Sequence, residues 1–148
     1  MGKLNAAKQY MTGLQGLRQM TFSLLDMAWY STQPAKIGDD VVAFEDSIMR
    51  EWALFPRLAG PASTSFGHIF GGGYAAGYYS YLWAQVLDND AFEAFTESKG
   101  GAFDPATAKK LVKECLSVGN TVDPAEAYRN FRGRDAKVDA FLKERGFN

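Results

Sequence analysis

A single cysteine, Cys115, among 148 residues excludes an internal disulfide and fits a reducing compartment. Net charge is nearly absent: 16 lysines and arginines against 17 aspartates and glutamates leave −1, which gives no electrostatic basis for binding nucleic acid or an anionic membrane. No run approaches the ~20 apolar residues of a membrane span. The opening MGKLNAAKQYMTG lacks the continuous apolar core of a signal peptide. Strand alternation, internal repeats and low-complexity tracts are missing as well. These absences leave a soluble, cytoplasmic, all-α chain as the economical reading. The length suits one helical domain over residues 1–148, burying roughly 70% of its unfolded surface.

The apolar pattern divides that domain into helices. Lys3 to about Tyr30 reads as one long amphipathic helix through Leu4, Ala7, Met11, Leu14, Leu17, Leu24, Leu25 and Ala28. Asp39 or Asp40 caps a second, running to about Leu54, with Val41, Phe44, Ile48 and Trp52 on one buried face. Pro56 and Pro61 mark a loop. Asp104 with Pro105, and Asp123 with Pro124 and Glu126, each start a helix, because aspartate accepts an orphan N–H and proline suits the first turn. A last helix runs from about Asp135 to Arg145 and is closed by Gly146. Glu45, Asp46 and Glu51 form no metal pattern and read as solvated helix positions. Cys115, amid Leu111, Val112 and Leu116, reads as buried rather than reactive.

The unusual stretch is FGHIFGGGYAAGYYSYLWAQVL, from Phe66 to Leu87. It holds the only histidine, His68, then Gly71, Gly72 and Gly73, then Tyr74, Tyr78, Tyr79 and Tyr81. At helical spacing Tyr74, Tyr78 and Tyr81 share a face, while Tyr79 groups with Leu82 and Val86 toward the core. Glycines can adopt positive φ, so His68 can fold back over the tyrosines. An imidazole and several phenols facing one space can donate hydrogen bonds to a developing oxyanion. The competing reading is an aromatic core stripe, against which stand the phenol hydroxyls that a dry core must satisfy and the entropy that three glycines lose on folding. GGGYAAG is no phosphate loop, having neither a preceding strand nor a following lysine.

Phe66 to Trp83, RNFRGRDAKVDAFLKERGF from Arg129 to Phe147, and GLRQMTFSLLDMAWY from Gly16 to Tyr30 together resemble the C-terminal part of the thimet oligopeptidase family of zinc metallopeptidases, in its peptidyl-dipeptidase and oligopeptidase A branch. The resemblance implies an all-α part of a catalytic domain acting on short peptides. By it, His68 and Tyr81 match transition-state donors, Tyr74 and Tyr78 match substrate-binding positions, and Gly71, Gly72, Gly73 and Gly77 match a flexible loop. The FRGR stretch, with Arg129, Arg132 and Arg134, is a structural signature for which intramolecular ion pairing is expected.

In that family zinc sits on an HExxH motif and a downstream glutamate. This chain has one histidine and no HExxH, so three zinc ligands cannot be assembled from it. The resemblance therefore implies zinc in the complete enzyme, none bound here, and no activity without the zinc-bearing segment in cis or trans. An uncovered apolar patch then makes a homo-oligomer burying ~1,000 Å² or more the expectation. The alternatives are a helical peptide-binding module without chemistry and a structural interaction module.

Overall fold

A computed structural model describes residue 3 and residues 7–55 and 60–147, and these are helical with no strand. The chain forms two compact units, one from Tyr10–Leu82 and the other from Met1–Gln9 with Trp83–Asn148. None of the described helices is long and apolar enough to cross a membrane.

In the Tyr10–Leu82 unit the main element is α1, Thr12–Ser31. The single helix expected from Lys3 does not form, because residues 9–11 are turns and Met11 sits at φ 57, where no α-helix continues. Leu4 lies outside the described residues. A short α2, Pro34–Ile37, leads to Gly38 at φ 70. Then comes α3, Val41–Met49, whose N-terminus is capped by the Asp40 carboxylate accepting from the Val42 and Ala43 amides at 3.0 Å each. The helix stops at Met49, short of Leu54, and of its expected buried face only Phe44 is fully buried, with Trp52 exposed. Pro56 also lies outside the described residues.

The core of this unit is Leu25, Phe66 and Ile69, with Phe22, Trp29, Ile48, Met49, Ala62 and Tyr78 packed around them. Burying side chains of this size stabilises by about 1.5–3 kcal/mol each. Glu45 belongs to the interior and is not the solvated position expected: it is 3% exposed, and its two oxygens accept from the amides of Ala62 and Ser63 at 2.9 and 2.8 Å. That glutamate anchors the 3₁₀ turn Ala62–Ser65, and Trp29 Nε1 donates to Ser63 Oγ at 2.9 Å. The short α4, Gly67–Phe70, follows at once. The chain entering the loop that carries His68 is thus tied to the core.

Most of α5, Ser80–Glu97, belongs to the second unit. It is followed by α6, Pro105–Leu111, started by Asp104 accepting from the Thr107 amide at 2.7 Å. A π turn, Val112–Leu116, continues it and carries Cys115. Asp123 starts α7, Pro124–Arg132, by accepting from the amides of Ala125 and Glu126 at 2.9 and 3.1 Å. Gly133, at φ 78, ends it in the left-handed conformation that glycine adopts without a Cβ penalty. The last helix, α8, spans Asp139–Glu144 and is shorter than the expected Asp135–Arg145.

The arginines after α7's start build the polar interior of this unit. Asp90, on α5, is 0% exposed. Arg134 grips both its oxygens at 3.0 and 2.7 Å, and the Tyr128 hydroxyl donates to it at 2.5 Å. Arg132 donates to the Asp90 carbonyl at 3.1 Å and forks onto Glu97 at 2.7 and 2.8 Å. Arg129 pairs with Asp135 at the surface, at 3.0 Å. The expected intramolecular role of the FRGR stretch is what these ion pairs perform.

Candidate functional site

His68 is exposed although its neighbours Phe66 and Ile69 are buried. On a one-turn helix, pinning residues on either side turns the imidazole outward. Two of the three following glycines have local reasons. A Cβ on Gly72 would stand 2.9 Å from the His68 carbonyl oxygen, closer than real Cβ contacts come, and Gly73 has φ 80. Gly71 and Gly77 would meet only ordinary contacts, at 3.7 and 3.5 Å. The chain turns back on itself here, with the Tyr74 amide donating to the His68 carbonyl at 3.1 Å.

Four rings converge at this turn. His68 lies 5.9, 5.8 and 6.4 Å from the ring centres of Tyr74, Tyr78 and Tyr81. Tyr74 stacks on Tyr81 at 5.3 Å, and Tyr78 meets Tyr81 edge-on at 5.1 Å. Tyr78 also packs against Phe66 at 4.9 Å, so one ring joins the core to the cluster.

The cause of this convergence differs from the helical face read from the spacing. Tyr74 lies outside any helix, residues 75–79 lie in turns, and α5 begins only at Ser80. Tyr79, expected toward the core, is 55% exposed, whereas Val86 is buried and Leu82 half-buried. What organises the turn is Asp26 on α1, a fully buried carboxylate whose two oxygens accept from the amides of Ala76 and Tyr78 at 2.9 Å each. Ala76 is held at φ 53 in doing so. Sequence reading passed over Asp26. Its signal was position: four residues after Phe22 and three before Trp29, it stands on the apolar face of α1, where an aspartate needs a specific partner.

Tyr81 is pushed above its ordinary pKa, first by hydrogen bonding with the Tyr74 phenol, then by desolvation and by its phenolic neighbours. It is therefore a protonated donor at neutral pH. The site holds one imidazole and three phenols, a set suited to donating hydrogen bonds to an oxygen that gains charge.

Among the described residues no group of three His, Cys, Asp or Glu side chains is placed to hold a metal ion. The thiol of Cys115, half-buried in the π turn, lies 3.6 Å from the Ala127 carbonyl, and burial raises its pKa. It is poorly suited to act as a nucleophile.

Residues 1–147 match the model of peptidase family M3. The chain is 38% identical over 145 residues to oligopeptidase A of Haemophilus influenzae, covering 97% of this chain and 21% of that protein. It is 38% identical over 154 residues to oligopeptidase A of Escherichia coli, and 34% identical over 148 residues to the dipeptidyl carboxypeptidase of the same organism. Each of these matches takes in 99% of this chain and 21% of the relative, so the chain spans about a fifth of the length of the curated relatives it matches.

Proposed function

The chain belongs to peptidase family M3, and from that premise we propose that it is the substrate-facing, C-terminal part of a zinc-dependent oligopeptidase or peptidyl-dipeptidase of the cytoplasm. The observation that carries this reading is the convergence of His68, Tyr74, Tyr78 and Tyr81 on one turn, with ring centres 5.1–6.4 Å apart. His68 and Tyr81 donate to the carbonyl oxygen of the scissile peptide as it gains negative charge. Tyr74 stacks on Tyr81 and, with Tyr78, faces the short peptide.

Zinc does not fit this chain's own residues. A catalytic zinc site needs three protein ligands in fixed geometry, and the sequence offers one histidine, one cysteine and no HExxH. The metal and the general base belong to the missing segment, and the present residues bind and orient the peptide.

Complementation tests the reading. The purified chain is expected to carry no stoichiometric zinc and to cleave no peptide. Supplying an HExxH-bearing M3 segment, fused or as a separate chain, is expected to give hydrolysis that a chelator abolishes. Chelator-sensitive cleavage by this chain alone would contradict it.

Without that segment α1 leaves Met20, Leu24 and Met27 exposed at 44%, 39% and 42% on one helical face. Self-association is the expected outcome. Light scattering at tens of micromolar is expected to give a dimer or larger species, and a clean monomer would count against it.

A further inference from the structure

One face of α1 holds both arms of the His68–Tyr81 loop. Asp26 and Tyr30 stand four residues apart, so they project from the same side of the helix. The Tyr30 hydroxyl donates to the carbonyl of Ile69, next to His68. The Asp26 carboxylate takes the amides of Ala76 and Tyr78 on the tyrosine arm, at 2.9 Å each. Between the two anchors lie residues 70–75, with all three consecutive glycines.

We propose that Asp26 and Tyr30 form a latch that sets the separation of the His68 and Tyr81 donors, making both of them positioning residues for the reaction proposed above, on which this inference rests. Burial of a carboxylate is a poor way to gain stability, since its desolvation offsets much of what its hydrogen bonds return. What such a group supplies is one specified backbone shape. Ala76 shows the effect: at φ 53 it occupies a conformation disfavoured for an L side chain, and its amide nevertheless faces Asp26. Donors aimed at a developing oxyanion act only when held in place beforehand, and a displacement of about 1 Å can cost ~10²-fold in rate. The latch supplies that placement from residues that touch no substrate.

The test uses Asp26→Asn, which keeps the shape but turns an N–H donor toward one amide, and Tyr30→Phe, which removes one hydroxyl from a residue 45% exposed and so spares the fold. In this chain, NMR is expected to show the Ala76 and Tyr78 amides exchanging ~10-fold faster in Asp26→Asn, since a protecting acceptor is lost. Cross-peaks between the His68 and Tyr81 rings should weaken in both variants. In the complete enzyme formed with an HExxH-bearing segment, kcat should fall on the order of 10- to 10²-fold with KM within about twofold, because positioning acts on the transition state. Asp26→Asn combined with Tyr81→Phe should be no slower than Tyr81→Phe alone within about threefold, since residues acting as a unit are not additive. Unchanged ring contacts in both variants, or fully additive losses of rate, would overturn the latch. If Tyr81→Phe leaves kcat unaltered while the ring contacts of both variants are lost, the latch stands and the catalytic reading of Tyr81 fails.

Discussion

Replacing Tyr81 with phenylalanine is expected to lower kcat of the complete peptidase about 10²- to 10³-fold, the usual cost of removing one preorganised oxyanion donor. The substitution keeps the ring that stacks on Tyr74 at 5.3 Å and meets Tyr78 at 5.1 Å, so packing changes little. Only the hydroxyl is lost, and its raised pKa means it is a proton donor throughout the neutral range. Because the bond strengthens as charge develops, the loss falls on kcat, with KM changing far less. Tyr79→Phe is the internal control. Tyr79 is 55% exposed and makes none of the ring contacts of the cluster, so its rate should stay close to that of the unaltered enzyme. Equal effects of the two substitutions would dissociate the cluster from catalysis.

The second large effect concerns stability. Asp90→Ala is expected to destabilise the chain by about 3–5 kcal/mol, the range for breaking a buried ion pair and leaving its partner charge behind. Arg134 would lose both its carboxylate oxygens, and Tyr128 its acceptor. Urea denaturation measures it, and Asp135→Ala serves as the comparison. Asp135 pairs with Arg129 at the surface, its side chain 80% exposed, and such pairs contribute about 0–1 kcal/mol.

The same network predicts acid sensitivity. Burial pushes the Asp90 carboxyl up, but the hydrogen bonds from Arg134 and Tyr128 and the charges of Arg134 and Arg132 outweigh it, leaving Asp90 below the ordinary range. Glu97 is held down by its hydrogen bond with Arg132. Both folded-state values lie below the unfolded ones. Their stabilisation is therefore complete above about pH 4–5 and is lost as pH falls through the folded values. Asp90→Asn should flatten the acid limb of the stability curve, and an unchanged acid limb would contradict the network's role.

What could be read from the sequence was what depends on near neighbours. Asp40, Asp104 and Asp123 cap helices through amides two or three residues away, and the last two were legible outright while the first was narrowed to Asp39 or Asp40. The membership of the ring cluster was legible too, because a histidine, a glycine run and four tyrosines in one stretch mark it by composition. Its geometry was not. Helical spacing would put Tyr74, Tyr78 and Tyr81 on one face, but the turn that actually gathers them is made by Asp26, 50 and 52 residues from the amides it accepts. Glu45 was misjudged for the same reason, since the amides it binds lie 17 and 18 residues away. The break at Met11 has no side-chain cap and no proline to announce it. Carboxylates that serve a distant backbone look in sequence like carboxylates that serve water.

The most direct test of the central claim, that these residues grip the peptide as it passes through the tetrahedral state, is the affinity of the complete enzyme for a phosphinic peptide that mimics that state. Compared with the unaltered enzyme, Tyr81→Phe should weaken inhibition by the phosphinate on the order of 10²-fold while the affinity for an uncleaved peptide of the same sequence barely moves, since transition-state binding exceeds ground-state binding where a donor meets developing charge. Parallel losses for both ligands, or none for either, would show that Tyr81 faces something other than the reacting carbonyl.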